Sequence, residues 1–427
     1  MQKTKDFLAF LDNARSSYHA VDLLVKDLEA AGYSRLLEGE AWTLIPGGKY
    51  FLTRNGSSLV AFRVPEKVSG GFMIGAAHSD RPTFKVKENP ELTGKYTRLA
   101  VERYGGMLIS TWLDRPLSVA GRVVVETEEG VQTKLLDIDR DLLMIPNVAI
   151  HMNRKANEGY SWNPAVDTLP LAGSEKAAGK LWKLLEKTAG GKILGHDLYL
   201  YVREKAKIWG LDKEYISAQA LDDLQCAWSC TQGFLEAGES GSVPVLSIFD
   251  SEEVGSASMQ GAGSTLLEDV LARICCGLQL DLRQMMARSF VVSADNAHAL
   301  HPNHPEFSDP NNAPLPGGGV VIKFNANQRY TTDGVSAAIF RKICKEAEVP
   351  TQTYCNRADL PGGSTLGNIS LAHVSVLSVD VGLAQLAMHS AYETSAVADT
   401  DHLIKAMAAF YATYLTEDSD KDLKLAK

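Results

Sequence analysis

The chain of 427 residues has no apolar run of the length needed to cross a bilayer, which predicts no membrane span. It has no excess of basic charge. Lys and Arg number 43 against 52 Asp and Glu, a net charge of −9, whereas a sequence-independent nucleic-acid binder needs a basic face. Its six cysteines include no C-x-x-C pair, and a chain of this length and composition, able to bury a large core, excludes a small disulfide scaffold. The adjacent Cys275 and Cys276 sit in an apolar stretch and read as small buried hydrophobes of a reducing compartment. The G-x-S-x-G elbow, the G-x-x-x-x-G-K-[ST] loop, the G-x-G-x-x-G turn and H-E-x-x-H are all missing. The N-terminal apolar segment is interrupted by Asp12 and Asn13 and carries no small-residue cleavage site, so no signal peptide is expected and the expected location is cytoplasmic. What is present is an ordinary globular composition, 45% hydrophobic and 22% charged, long enough for two or three domains and a large core.

Periodicity divides the chain. Two amphipathic helices open it, with Phe7, Leu8 and Leu11 on one stripe and Val21, Leu24, Val25 and Leu28 on the next. Ser16 or Ser17 is the expected N-cap and Gly32 the stop. Asn55-Gly56 between two strand-like runs signals a hairpin, and the run from Phe72 to Ala77, apolar on both faces, predicts a buried strand. From about Phe84 to about Ile216 alternating strands dominate, with a Lys-rich helical piece from Ser174 to Lys187. After Ser217 strands and helices alternate: a helix from Leu221 to about Glu236, strands at 245–249, 290–294 and 374–379, helices within 264–286 and at 335–348, and a closing helix from Asp401 to Tyr414. The expected fold is α/β, a mixed sheet sandwiched by helices. Residues 1–84 and 217–427 form one domain, and 85–216 an inserted, mostly β domain. The charged tail from Glu417 is expected to fray.

The chemistry-bearing residues recur at strand ends. The run ending at Ala77 is followed by His78-Ser79-Asp80, the strand at 245–249 by Asp250-Ser251-Glu252-Glu253, and that at 290–294 by Asp295-Asn296-Ala297-His298. Ligands of open α/β sheets bind at the carboxyl ends of the strands. Asp222-Asp223 opens a helix, where it could equally be a charge favoured by the helix dipole, and His389 follows a small-residue run. If these groups converge, several carboxylates and two imidazoles share one cleft. They cannot stay charged there without compensating cations, and the donor mix suits zinc or a similar divalent ion, or a pair of ions under a bridging carboxylate. Gly362-Gly363-Ser364-Thr365-Leu366-Gly367 is either an anion cradle or a tight loop beside such ions.

These stretches carry a resemblance. Gly75 to Pro82, Ile216 to Asp223, Phe249 to Ser256, Ser293 to Asn303, Asn327 to Tyr330 and Gln385 to Ser390, together with Gly105-Gly106-Met107 and Ser110 to Arg115, resemble the aspartyl aminopeptidase and vacuolar aminopeptidase I family of binuclear zinc metallopeptidases, in order and over essentially the whole chain. The resemblance implies a metalloaminopeptidase. His78 and Asp295 would hold one ion, Glu253 and His389 the other, and Asp222 would bridge them; zinc is expected before cobalt or manganese. It casts Glu252 as general base and Asp80 as the group orienting His78. Lys323 and Tyr330 become substrate-binding residues, with acidic first residues as a candidate preference, and His151 reaches a neighbouring subunit's site. Short peptides with a free N-terminus are the implied substrates. The implied assembly is a homo-oligomer in which the inserted domain makes dimers and dimers build a tetrahedral dodecamer. Asp223 departs from the pattern, which usually has Asn there, and adds negative charge beside the ions. The alternatives are a carboxypeptidase or N-deacylase using the same cluster, and a non-catalytic, metal-stabilised assembly protein.

Overall fold

A computed structural model describes residues 2–419 and 422–426. A nine-stranded sheet organises the chain, in the order Ser34–Arg35, Lys49–Arg54, Ser58–Arg63, Val243–Phe249, Phe72–His78, Phe290–Ala294, Leu377–Gly382, Val320–Phe324 and Thr351–Cys355. Its middle four strands are parallel to one another, and their neighbours Ser58–Arg63 and Val320–Phe324 run antiparallel to them. Val243–Phe249, Phe72–His78 and Phe290–Ala294 are buried at every residue, which is why their sequences are apolar without alternation. Alternate side chains still go to opposite faces. Met73 and Ala77 pack with the helices Gln2–Asn13, Ser17–Ala30, Leu221–Glu236 and Val397–Tyr411. Phe72, Ile74 and Ala76 pack with Leu266–Leu278. Each large aliphatic or aromatic side chain so buried contributes about 1.5–3 kcal/mol.

Gly75, between those faces, is required by a close approach. A Cβ there would lie 2.0 Å from the Tyr411 hydroxyl and 2.7 Å from Met407 Cε, on the helix that crosses the sheet. Gly75→Ala is therefore expected to lower stability by about 1–3 kcal/mol, the cost of overpacking a dense core, measured by urea unfolding.

Between Thr83 and Val202 the chain builds a second, six-stranded antiparallel sheet, ordered Gly130–Asp137, Leu117–Thr127, Ile193–Val202, Thr83–Leu92, Tyr96–Tyr104 and Leu171–Ser174, with an apolar core of its own around Phe84, Trp112, Val119 and Leu198. A third sheet has five short strands, Lys207–Trp209, Tyr215–Ala218, Glu393–Ala396, Ala384–Leu386 and Ala297–His298, drawn from three separate stretches of the chain after Val202. Among the described residues no helix is long and apolar enough to cross a membrane.

The α/β sandwich expected from periodicity is the fold observed. Ser16 caps the second helix as expected, and the Asn55-Gly56 hairpin forms with both residues at positive φ. Four boundaries differ. The strand expected at 374–379 runs from Leu377 to Gly382, because Leu377 opens the register with Phe290 while the Val374 N–H still bonds back to Ser370. The Lys-rich helix begins at Lys180, after Gly179 at φ +69°, and Leu171–Ser174 before it pairs as a strand. The closing helix begins at Val397 and ends at Tyr411. The tail, expected to fray from Glu417, pairs as a hairpin of Tyr414–Ser419 with Asp422–Ala426; Asp420, Lys421 and Lys427 lie outside the described residues.

Candidate metal centre

Three adjacent parallel strands deliver His78, Glu252, Glu253 and Asp295 to one end of the main sheet. His78 is the last residue of its strand and pairs in register with Phe249, three residues before Glu252. Asp295 follows the neighbouring strand directly. The small third sheet delivers the rest. Asp222 comes shortly after Tyr215–Ala218, and His389 sits in the loop between Ala384–Leu386 and Glu393–Ala396. Asp222 and Asp223 have non-helical backbones at the head of Leu221–Glu236, so Asp222 is aimed into the cleft and not along the helix dipole. Ala220, Ser251 and His389, each at or next to this end, have left-handed backbones (φ +57°, +65° and +64°). Such conformations cost about 1–2 kcal/mol in a residue with a Cβ, so packing elsewhere must hold them.

The side chains converge. His78 Nε2 lies 3.6 Å from Asp222 Oδ1. His389 Nε2 lies 3.4 Å from Asp222 Oδ2 and 3.5 Å from Glu253 Oε2. Donor atoms of His78, Asp222 and Asp295 fall within 4.8 Å of one another, as do those of Asp222, Glu253 and His389, so Asp222 belongs to both groups; His78, Glu252 and Glu253 form a third. His78 is 1%, Asp222 3% and Asp295 8% exposed. The Nδ1 atom of His78 is 3.3 Å from Asp80 Oδ1 and 3.2 Å from the Asp80 carbonyl oxygen. Both are acceptors, so the ring proton belongs on Nδ1 and Nε2 faces Asp222. Asp80 also accepts the backbone N–H groups of Glu252 and Glu253 (3.1 and 3.2 Å) and the Tyr104 hydroxyl (2.8 Å), joining the second sheet to the centre.

The electrostatics demand positive charge. Burial, with Asp295, Asp80 and Asp222 nearby, pushes Glu252 up to about 8 against the pull of His78. Burial raises Asp295 to about 6, partly offset by Lys323, and raises Glu253 and Asp223 well above the carboxylate range. Asp222 is the exception: against the penalty of burial, the neighbouring His389 and His78 imidazoles hold it below its ordinary value. Buried oxygens of Asp222, Asp223 and Glu253 have no hydrogen-bond partner. A cleft with more carboxylates than it can charge, unpartnered oxygens and two imidazoles fits hard-to-borderline divalent cations, zinc among them. The donors present therefore fit a metal.

Around the centre lies a cavity of about 120 Å³, lined by His78, Asp222, Glu252, Asp295 and His389 and also by Lys323, Tyr330 and His298. Lys323 is 2% exposed. Its Nζ donates to the Asp295 carbonyl (2.7 Å), stands 3.8 Å from Asp295 Oδ2 and 5.2 Å from the Tyr330 ring centre; burial opposes its charge, but Asp295, Tyr330 and Asp380 together outweigh it and keep Lys323 protonated. Gly363, Ser364 and Thr365 line the same cavity, and Thr365 donates to the buried Asp380, so the glycine-rich segment is a tight loop beside the centre. His151 lies on an exposed turn and does not line this cavity. Sequence reasoning missed Tyr104 and Glu393, whose roles depend on pairings between distant segments. Only the strand-end pattern of acids offered a signal: Tyr104 ends a strand but is no acid, and Glu393 opens a strand of four residues.

An α/β sandwich with an acid- and imidazole-rich cleft at the carboxyl ends of its parallel strands defines the class of the metal-dependent hydrolases. The family model for "Aminopeptidase I zinc metalloprotease (M18)" matches residues 10–411, and the chain belongs to that family. A "Probable M18 family aminopeptidase 2" of Clostridium novyi is 42% identical over 422 residues, covering 95% of this chain and 98% of the relative. Among solved structures, that of the Ape4 and Nbr1 complex is similar with a TM-score of 0.92 at 36% identity, covering 96% of this chain and 85% of the other. The S. cerevisiae mApe1 dodecamer is similar with a TM-score of 0.85 at 25% identity, each chain covered to 96%. The protein is thus an M18 aminopeptidase of the zinc metalloprotease type, a hydrolase acting on peptides, and the carboxypeptidase, N-deacylase and non-catalytic readings give way to this one.

Proposed function

We propose that the centre holds two divalent ions and removes the first residue of short peptides, with acidic first residues preferred. His78 and Asp295 hold one ion, Glu253 and His389 the other, and Asp222 both; zinc is the ion the donor set suits first. The observation that carries this reading is the convergence of the donor atoms of these five side chains and Glu252 in overlapping groups, all but Glu253 lining one cavity. When bound, such ions supply electrophilic activation of the scissile carbonyl and of the attacking water. The remaining work falls to the chain itself. Glu252 accepts the proton of the attacking water and returns it to the leaving amine. Asp80 holds the His78 ring and the backbone of Glu252 and Glu253 in one arrangement, so the base and a ligand keep a fixed relation. The small cavity, about 120 Å³, limits how much water surrounds the reacting bond. Tyr330 and Lys323 face the first side chain, and the Lys323 charge would attract a carboxylate there.

Residues 85–216 are read as the inserted dimerisation domain between 1–84 and 217–427, carrying His151 to the neighbouring subunit's site. By analogy with the solved dodecamer, dimers would build a dodecamer; its proposed location is the cytoplasm. The supporting feature is the exposed turn that carries His151, where Val148, Ile150 and Met152 are also exposed.

The test is a profile over all N-terminal residues, with free and N-acetylated peptides, for the wild type and Lys323→Ala. The expected result is loss of every acetylated substrate. For Lys323→Ala, kcat/KM on Asp and Glu peptides should fall about 10–100-fold, the range of a lost charge-assisted contact, with smaller changes on neutral ones. Equal losses on acidic and neutral peptides would remove the specificity role of Lys323.

A further inference from the structure

Glu393 is the first residue of Glu393–Ala396 and is 1% exposed, yet it is not among the donors that converge on the cavity. Its carboxylate is fully used. Oε2 accepts the backbone N–H of Asp222 at 3.0 Å, and Oε1 accepts the backbone N–H of His389 at 2.7 Å. The two partners are 167 residues apart in sequence and reach the centre on different segments. One follows Tyr215–Ala218, the strand that pairs with Glu393–Ala396 through Ala218↔Glu393; the other rides on the loop that leads into Glu393–Ala396. Neither segment is held in place by a long strand. The His389 backbone has a left-handed φ of +64°, and its carbonyl is engaged from the other side by the Leu108 N–H at 3.0 Å. Fixing the backbone of Asp222 and His389 fixes the separation of their side chains, which meet at 3.4 Å.

We infer that Glu393 is a positioning residue for the metal centre: one buried carboxylate clamps the backbones of Asp222 and His389 and so sets the distance between the shared and the single-ion ligand. The inference rests on the metal assignment proposed above. Gln at this position keeps one acceptor oxygen and turns an amide NH2 toward the other N–H, so one of the two backbones is released. Asp is one methylene shorter and cannot span both.

The experiment compares wild type, Glu393→Gln and Glu393→Asp by zinc competition against a chromogenic chelator, with thermal melts of the metal-free proteins and a zinc titration of activity. Zinc affinity is expected to fall roughly 10–100-fold in both variants, the usual range for groups that orient ligands. The zinc dependence of activity should shift by the same factor, and activity should recover toward wild type at saturating zinc. Metal-free melting of Glu393→Gln should move little, since the amide trades one hydrogen bond for relief of repulsion with Asp222. A residue that only supported the fold would do the reverse, lowering the metal-free melting temperature with affinity unchanged. Should Glu393→Gln fail to fold, Glu393→Asp gives the same affinity reading. Wild-type protein that binds zinc while both variants bind within about threefold of it overturns the role of Glu393 alone. Wild-type protein that takes up no zinc overturns the metal assignment beneath it.

Discussion

Glu252→Gln is expected to lower kcat by roughly 10²–10⁴-fold, the contribution of a positioned general base, while zinc content stays at the wild-type level. The amide is close in size to the carboxylate, and the Glu252 backbone N–H keeps its bond to Asp80 Oδ1 at 3.1 Å, so the local fold has no reason to move. The proton acceptor alone disappears. Burial beside Asp295, Asp80 and Asp222 pushes Glu252 up to about 8. Cations in the cleft would lower it, leaving a base suited to neutral pH. Measuring kcat with zinc content on the same samples decides the matter, because a variant that keeps zinc and also keeps turnover would reassign the base.

Asp222→Ala is the second large effect. Asp222 faces both imidazoles, at 3.6 and 3.4 Å, and belongs to both donor groups, so its loss damages both ion positions at once. The expected outcome is turnover below detection and fewer than about one zinc ion per subunit after dialysis. Stability gives an independent readout. A ligand at a thousand times its Kd stabilises the folded state by about 4 kcal/mol, so wild-type protein should melt well above its metal-free form. In Asp222→Ala that zinc-dependent difference should vanish. A variant that retained the full shift would show that zinc binds elsewhere.

The resemblance carried in the sequence motifs led to the family, and the hydrophobic pattern led to the α/β sandwich. His78, Glu252, Glu253 and Asp295 were legible as candidates because each ends or follows a fully buried strand, and three adjacent parallel strands must present their carboxyl ends on one side. Asp222 and His389 were weaker signals. They depend on strands of three or four residues, too short for any periodic pattern to register.

Local hydrophobic order is enough to set the long strands, their two-sided burial and the acids that terminate them. Which acids meet depends on long-range packing. Pairing of Tyr215–Ala218 with Glu393–Ala396 puts Glu393 against Asp222 and His389, and packing of the second sheet brings Tyr104 to Asp80. Glu393 and Asp222 are 171 positions apart and Tyr104 and Asp80 are 24 apart, and the partner of each polar group is chosen by which backbones the core leaves adjacent, a choice no local stretch of sequence contains.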